Sequence, residues 1–195
     1  MKKLYIFLFL LYSTVTFGRG IDMLEFRFGG NLGASYKEID TERFQTDKKP
    51  SETGYEGMIE MIHEPIDNLI TGLGTGYQRS GRIGIDGGKY GVIDTIPIYF
   101  TLKYEFKNST KINPYIKGNI GASIPYTRSD LERTGTKAHT GFYYAVGGGI
   151  EYYNFIVDLS YQWTSNKTEK TSKGGYDAKV EFSRITLGVG YRLGI

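Results

Sequence analysis

The two histidines, His63 and His139, are the side chains of this 195-residue chain best suited to proton transfer near neutral pH. His139 falls at the end of a predicted strand, where Ser183 and Glu181 of another predicted strand could approach it. Such a set would activate the serine for acyl hydrolysis or transfer. No local signature accompanies these residues, and exposed loop histidines are common. His63 falls beside a predicted turn, on the apolar face, and is interpreted as an interfacial residue.

A second set of chemically capable residues is ionic, and its members recur at every other position of otherwise apolar segments. Five are basic and six are acidic: Arg27, Lys103, Lys117, Arg184 and Arg192, with Glu25, Glu56, Glu60, Glu105, Glu151 and Asp158. Alternate positions of a strand share one face. Charges withdrawn from water are tolerated when they are paired. The near balance of signs therefore predicts an ion-paired network rather than a charge-selective pore.

The segment 95–106 shows the element that must position these charges. Its sequence, TIPIYFTLKYEF, alternates strictly, with Ile96, Ile98 and Phe100 beginning one apolar face and Lys103 and Glu105 on the other. A helix would repeat every three or four residues, so this segment is predicted to be a strand. At about 3.3 Å per residue and a tilt near 45°, such a strand is long enough to cross a bilayer's hydrocarbon core.

The rest of the chain repeats this pattern. Alternation predicts eight strands, at 23–36, 53–64, 69–78, 92–106, 114–124, 141–152, 155–164 and 178–193. Long polar loops alternate along the chain with short connections; the loops are 37–52, 79–91, 125–140 and 165–177, and the short connections are 64–68, 107–113 and 153–154. An even strand number with loops at one end and turns at the other is typical of bacterial outer-membrane barrels. The predicted fold is all-β, an eight-stranded antiparallel up-and-down transmembrane β-barrel.

The amino terminus and the composition agree with an exported, non-enzymatic domain. Residues 1–18 have two lysines, a short apolar run and a small residue at Gly18, which predicts a cleaved signal peptide followed by a barrel domain over 19–195. Removing Lys2 and Lys3 from the 24 basic residues leaves 22 against 21 acidic ones, so nucleic acid is not a predicted partner. The chain has no cysteine and no nucleotide or metal motif. We predict no catalytic residue, cofactor or metal site.

The direction of the apolar face has two interpretations, outward into lipid or inward as the core of a soluble, ligand-carrying barrel. The polar face favours the first, because it is rich in glycine and carries both signs of charge. Aromatic residues near the strand ends match two interfacial girdles. At the loop end these are Tyr36, Tyr77, Phe142, Tyr144, Tyr161 and Trp163, and at the turn end Tyr104, Phe106, Tyr152, Phe155 and Tyr191.

At this level of detail the chain resembles the small outer-membrane barrel family of OmpA and OmpX type. The resemblance is carried by IPIY at 96–99, KYEF at 103–106, PYIKGNIG at 114–121 and LGVGYR at 187–192. It implies a monomer in the cell outer membrane, in contact with lipid and lipopolysaccharide and assembled by the barrel-assembly machinery. The last strand of such proteins usually ends on an aromatic residue, and here Leu193 occupies that place.

The leading functional hypothesis is therefore a non-enzymatic outer-membrane barrel whose loops serve surface interactions or envelope stabilisation. A lipid A-modifying enzyme using His139 is one alternative. A narrow porin-like channel is another, because the glycines at 72, 74, 76, 147, 149, 188 and 190 remove volume from the inward face. The competing interpretation of those glycines is that they make room for large inward side chains such as Arg184 and Tyr99.

Overall fold

The computed structural model describes residues 23–40, 45–48, 53–80, 83–85, 88–90, 94–126, 136–170 and 178–195. The strands are β1 (Met23–Asp40), β2 (Gln45–Lys48), β3 (Tyr55–Ile66), β4 (Leu69–Arg79), β5 (Ile83–Ile85), β6 (Gly88–Tyr90), β7 (Asp94–Glu105), β8 (Ile112–Tyr126), β9 (Thr136–Tyr152), β10 (Phe155–Lys170) and β11 (Ala178–Gly194). The predicted signal peptide lies outside the described residues. Within them, no helix is long and apolar enough to cross a membrane.

Eight of these strands close into a barrel. In order they are β1, β3, β4, β7, β8, β9, β10 and β11, and β11 pairs back with β1. Every pairing is antiparallel between neighbours in this order. The predicted eight-stranded up-and-down barrel is therefore confirmed. The short strand β2 pairs only with the end of β1, and β5 and β6 form a separate hairpin within the predicted loop 79–91.

Tight hairpins join the strands at one end of the barrel, here called the turn end. The β3–β4 turn is Asp67 and Asn68, and the β9–β10 turn is Tyr153 and Asn154. Asn68, the second turn residue, has φ of 72°, and Tyr153, the first turn residue, has φ of 53°; turns of type II and type II′ need the left-handed conformation at these respective positions. The β3–β4 turn is narrower than predicted because β3 continues to Ile66, although its ladder with β4 shifts between His63 and Ile66. Pro65 explains that interruption, since it has no N–H to donate.

At the opposite, loop end, the strands run further than predicted. β1 continues to Asp40, β9 begins at Thr136 and β10 extends to Lys170, all within segments predicted as polar loops. The ladder between β1 and β11 persists to the pair Asp40 and Ala178. Alternation of apolar and polar residues marks a strand only where its two faces meet different surroundings. These extensions are mostly polar, with Ile39 and Ala138 as isolated apolar residues, so the backbone ladder continues without an alternating apolar signal.

One predicted residue lies on the other side of the barrel wall. The register between β1 and β11 shifts between Asn31 and Gly33, so Leu32 is an extra residue. Such a bulge reverses the alternation beyond it. Tyr36 is consequently 3% exposed inside the barrel, with its ring 4.3 Å from that of Phe182. The predicted place of Tyr36 in the outward aromatic girdle is wrong.

Candidate functional site

The barrel interior gathers the charged residues of seven different strands. The nine predicted network residues, Arg27, Glu60, Lys103, Glu105, Lys117, Glu151, Asp158, Arg184 and Arg192, are each at most 8% exposed. Glu25 and Glu56 are buried with them. Each lies on a strand whose intervening residues face outward, such as Phe28 at 67% and Leu102 at 47% exposure. The two-residue period of a strand thus separates a charged interior from an apolar outer wall.

The middle of the interior holds a network of ion pairs. Arg27 donates from Nη1 to Asp158 Oδ2 at 2.7 Å and from Nη2 to Glu56 Oε1 at 2.9 Å. Lys117 Nζ lies 2.8 Å from Asp158 Oδ2, and Arg184 Nη2 lies 2.8 Å from Glu56 Oε2. Two carboxylates are shared by three cations, which crosslink the walls of the barrel. We call these five residues the central network.

Neutral polar side chains complete this network. Gln162 Nε2 donates to Glu56 Oε1 at 2.9 Å, and its Oε1 accepts from Arg184 Nη2 at 2.7 Å. Gln78 Nε2 donates to both Glu56 and Gln162, and Tyr115 donates its hydroxyl proton to Asp158 Oδ2 at 3.2 Å. These three residues were not among those predicted for the site. Their polar or aromatic side chains at inward positions are the signal that could have found them.

A second cluster lies at the turn end and is richer in acid. Arg192 Nη2 is 2.6 Å from Glu105 Oε1, 2.8 Å from Glu151 Oε2 and 3.3 Å from Glu25 Oε2. Lys103 Nζ is 3.1 Å from the same Glu25 oxygen and lies 3.9 Å from the ring centre of Tyr115. Two cations pair with three carboxylates here, which gives this cluster an excess of one negative charge. The central network, with three cations and two carboxylates, has an excess of one positive charge. Within the described strands, His, Asp and Glu do not form a metal-binding group.

An aromatic layer also fills the interior. Tyr99 and Tyr143 are fully buried with ring centres 5.3 Å apart, and they pack with Met58 and Ala145. Tyr99 donates its hydroxyl proton to Glu60 Oε1 at 2.7 Å. Of the carboxylates predicted for the network, Glu60 is held by this hydrogen bond, and no ion pair within 4.0 Å engages it among the described residues.

The inward glycines are placed against these large side chains. A Cβ added at Gly74 would lie 2.4 Å from the Tyr99 ring, and one at Gly188 would lie 2.5 Å from Asp158 Oδ1. A Cβ at Gly149 would lie 2.8 Å from the Tyr115 hydroxyl oxygen. The volume that these glycines release is occupied by the neighbouring side chains. The geometry supports the steric interpretation of the glycines over an open gap.

Apart from Tyr36, the aromatic residues predicted for the two girdles lie on the outer wall. Tyr104, Phe106, Phe142, Tyr152, Tyr161 and Tyr191 are each 39–50% exposed, whereas Tyr77, Tyr144 and Trp163 are half-buried. Rings cluster at the loop end, where Trp163 stacks on Tyr144 with centres 5.2 Å apart and lies 6.2 Å from Phe142. Tyr77 donates its hydroxyl proton to Asp94 at 2.7 Å. The interfacial role of these aromatic residues remains a prediction.

The structure does not bring together the residues of the catalytic hypothesis. His139 pairs with Lys167, which pairs with Lys179 on β11. Ser183 lies four positions further along β11 and two strands from His139. At about 4.8 Å per strand and 3.3 Å per residue, the two backbones are about 16 Å apart. A serine nucleophile needs its base within about 3 Å.

Comparison with known proteins supports the fold. No protein-family model matches the chain. An uncharacterised protein of Pasteurella multocida, PM1543, is 27% identical over 167 residues, which cover 66% of this chain and 71% of that protein. Among solved structures, the chain is similar to the outer membrane protein OprG of Pseudomonas aeruginosa, with a TM-score of 0.57 and 15% identity, over 89% of this chain and 97% of that one.

It is also similar to the outer membrane protein AlkL, whose structure was determined in lipid bilayers. The TM-score is 0.57 and the identity 12%, over 89% of this chain and 90% of that one. At these identities the likeness shows the fold alone. The chain has the fold of small outer-membrane β-barrels, as its resemblance in sequence implied.

Proposed function

We propose that this protein is an integral, monomeric and non-enzymatic barrel of the cell outer membrane, inserted by the barrel-assembly machinery after removal of residues 1–18. The observation that carries the proposal is the inverted polarity of the barrel. Large apolar residues cover the outside, while the interior is charged and hydrogen-bonded. A soluble barrel would show the opposite arrangement, because exposed apolar patches of this extent are rare on soluble monomers.

The height of the apolar wall suits a bilayer. On β10 the outward residues run from Phe155 to Trp163, through Val157, Leu159 and Tyr161. At about 3.3 Å per residue this distance is about 26 Å along the strand, which at a tilt of about 40° is a height of about 20 Å between the Cα atoms of the two end residues, before their rings are counted. Outer-membrane barrels have an apolar band of roughly 25 Å, with strands tilted by about 40°. Closure of the barrel also pairs the backbone groups of its wall, which lipid requires.

The loop-end extensions support a role at the surface. β1, β9, β10 and β11 continue past the apolar wall as a polar sheet, and β2 pairs with the end of β1. The strands β3, β4, β7 and β8 end sooner, so this sheet stands above one side of the barrel. An ordered polar platform beyond the membrane suits contacts with neighbouring molecules. We propose surface interaction or envelope stabilisation as its use.

Heat-dependent mobility tests the membrane location. A closed barrel that resists detergent should migrate differently in gel electrophoresis before and after boiling. We expect the protein in the outer-membrane fraction, with a boiling-dependent shift and a mature amino terminus at Arg19. Recovery of an unshifted protein from the soluble periplasmic fraction would overturn the proposal.

A narrow channel is the second candidate, and a specific observation bears on it. Arg27 Nε, Arg184 Nη1 and Asp158 Oδ1 are buried without a hydrogen-bond partner among the described residues, and so are side-chain atoms of Tyr143 and Asn119. Buried waters commonly satisfy such atoms. A continuous file of waters would be a path for small ions. The ion pairs of the central network cross that path, which favours a closed lumen.

Planar-bilayer recordings separate the two candidates. We expect no resolvable conductance from the unaltered protein, because cations and carboxylates fill the cross-section at the central network. The double replacement Arg27→Ser with Asp158→Ser removes the middle ion pair, and we expect it to produce ion current. Equal conductance of the unaltered and doubly replaced proteins would mean that these pairs do not close the lumen.

A further inference from the structure

A groove interrupts the outer wall near the loop end. It has a volume of about 230 Å³ and is lined by Ser35, Lys37, Tyr161, Trp163, Glu181 and Ser183. We call it the rim groove. These residues belong to β1, β10 and β11, which are neighbours in the barrel. The groove therefore opens on the face that, under the proposed function, meets the outer leaflet.

Small side chains beside large ones create the groove. Trp163 pairs with Ser183, and Ser183 pairs with Ser35, so one aromatic and two small residues form a row across three strands. Two residues closer to the turn end on each strand, Tyr161 pairs with Ile185, and Ile185 pairs with Gly33. A Cβ added at Gly33 would meet nothing within 4 Å. The loop-end part of β1 thus forms the floor of the groove, and the aromatic residues of β10 form one of its walls.

The groove borders an aromatic ring, several charged side chains and an apolar strip of β11. Its wall presents the Trp163 ring, with Lys179 Nζ 6.0 Å from the ring centre. That ammonium is paired with Glu181 Oε1 at 2.6 Å, so Glu181 is already neutralised. No hydrogen bond or ion pair engages the Lys37 side chain among the described residues. Below the groove, β11 exposes Ile185, Leu187 and Val189 to 44–57%.

We propose that the rim groove binds one molecule of a phosphorylated glycolipid of the outer leaflet. Its acyl chains would lie along the apolar β11 surface, a sugar ring would stack on Trp163, and a phosphate would pair with the Lys37 ammonium. Amphipathic aromatic rings prefer the interface between apolar and polar regions, and basic side chains at that level attract lipid phosphates. This inference rests on the proposed membrane location and adds a site and a ligand class to it.

Binding is measured with purified, folded protein in detergent micelles. Lipid A carrying two phosphates is the probe, dephosphorylated lipid A and phosphatidylglycerol are the comparisons, and the fluorescence of Trp163, the one tryptophan, is the signal. Native mass spectrometry counts bound lipids. We expect saturable binding of one lipid A, with binding at least roughly tenfold weaker for each comparison lipid, since each lacks either the phosphate or the sugar contact.

Two variants and two matched controls locate the site. Ser35→Phe fills the floor, and Gly118→Phe places the same ring on the outer wall of β8, where a Cβ is 4.0 Å from the nearest atom. Lys37→Glu reverses the groove charge, and Lys111→Glu makes the same change at the turn end. We expect both groove variants to weaken lipid A binding by roughly tenfold or more. Both controls should stay within about twofold, and the mobility shift confirms that each variant folds.

Several outcomes would overturn the inference. One is an equal loss of lipid A binding in a groove variant and in its matched control. Another is phosphatidylglycerol binding as tight as that of lipid A, which would indicate a site for any anionic lipid. A dimer that disappears in Ser35→Phe would assign the groove to a second copy of the chain. A protein that binds no lipid but keeps its boiling-dependent shift fails this inference alone, whereas loss of the shift and of membrane fractionation fails the proposed function.

Discussion

Glu56→Ala is expected to lower the free energy of unfolding by about 3–5 kcal/mol, the cost of leaving buried charges without their partner. Glu56 accepts hydrogen bonds from Arg27, Arg184, Gln78 and Gln162, at 2.8–3.2 Å. Its removal leaves Arg184 without an ion pair among the described residues and leaves Arg27 with Asp158 alone. Water is excluded from this position, since both guanidinium groups are at most 3% exposed.

Urea unfolding in lipid or detergent, followed by Trp163 fluorescence, measures this loss. Glu64→Ala is the control, because Glu64 is partly exposed at the turn end, where it pairs with Lys107 and accepts a hydrogen bond from the Asn68 N–H. Exposed pairs contribute about 0–1 kcal/mol. Adding Arg184→Met to Glu56→Ala should restore part of the stability, because the uncompensated cation is removed as well. An equal effect of Glu56→Ala and Glu64→Ala would show that the central network does not stabilise the barrel.

Gly121→Val is expected to prevent formation of the heat-resistant barrel or to destabilise it by about 3 kcal/mol or more. A Cβ at this position would lie 2.1 Å from the backbone oxygen of Ile98 and 2.6 Å from the Cα of Tyr99. Both atoms belong to β7, which pairs with β8 at this point. The clash could be relieved only by separation of the two strands, because Tyr99 is also held by its contact with Tyr143 and its hydrogen bond to Glu60.

Gly118→Val provides a matched control on the same strand. Gly118 faces the outer wall, where an added Cβ is 4.0 Å from the nearest atom. We expect this variant to keep its boiling-dependent shift and to change stability by less than about 1 kcal/mol. The yield of shifted protein after refolding into detergent compares the two variants. Similar yields for both would contradict the role given to Gly121.

The number of barrel strands and the faces of most of them could be predicted from the sequence. Side chains alternate along any strand, so apolar and charged residues at successive positions of 95–106 reveal two different surroundings without any partner strand. The same local rule identified Arg27, Lys117 and Asp158 as inward residues. Balanced charges on one face then predicted pairing, because unpaired charges are costly when buried.

Which residues pair was decided by the tertiary structure. Arg27 and Asp158 are 131 residues apart, and Arg184 and Glu56 are 128 apart. They meet because closure of β11 on β1 sets the stagger of every strand, a property of the whole barrel. The bulge between Asn31 and Gly33 is a further example, since one extra residue in β1 turns Tyr36 inward.

The rim groove depends on tertiary structure for the same reason. Ser35, Ser183 and Trp163 are unremarkable in the sequence, and only the registers of β1, β10 and β11 align them in one row. The loop-end extensions were missed because polar residues on both faces carry no alternation. The sequence by itself determined which side of the wall most residues face, since that choice is local. The structure decided their neighbours, because cross-strand contacts depend on register and closure, which no single strand encodes.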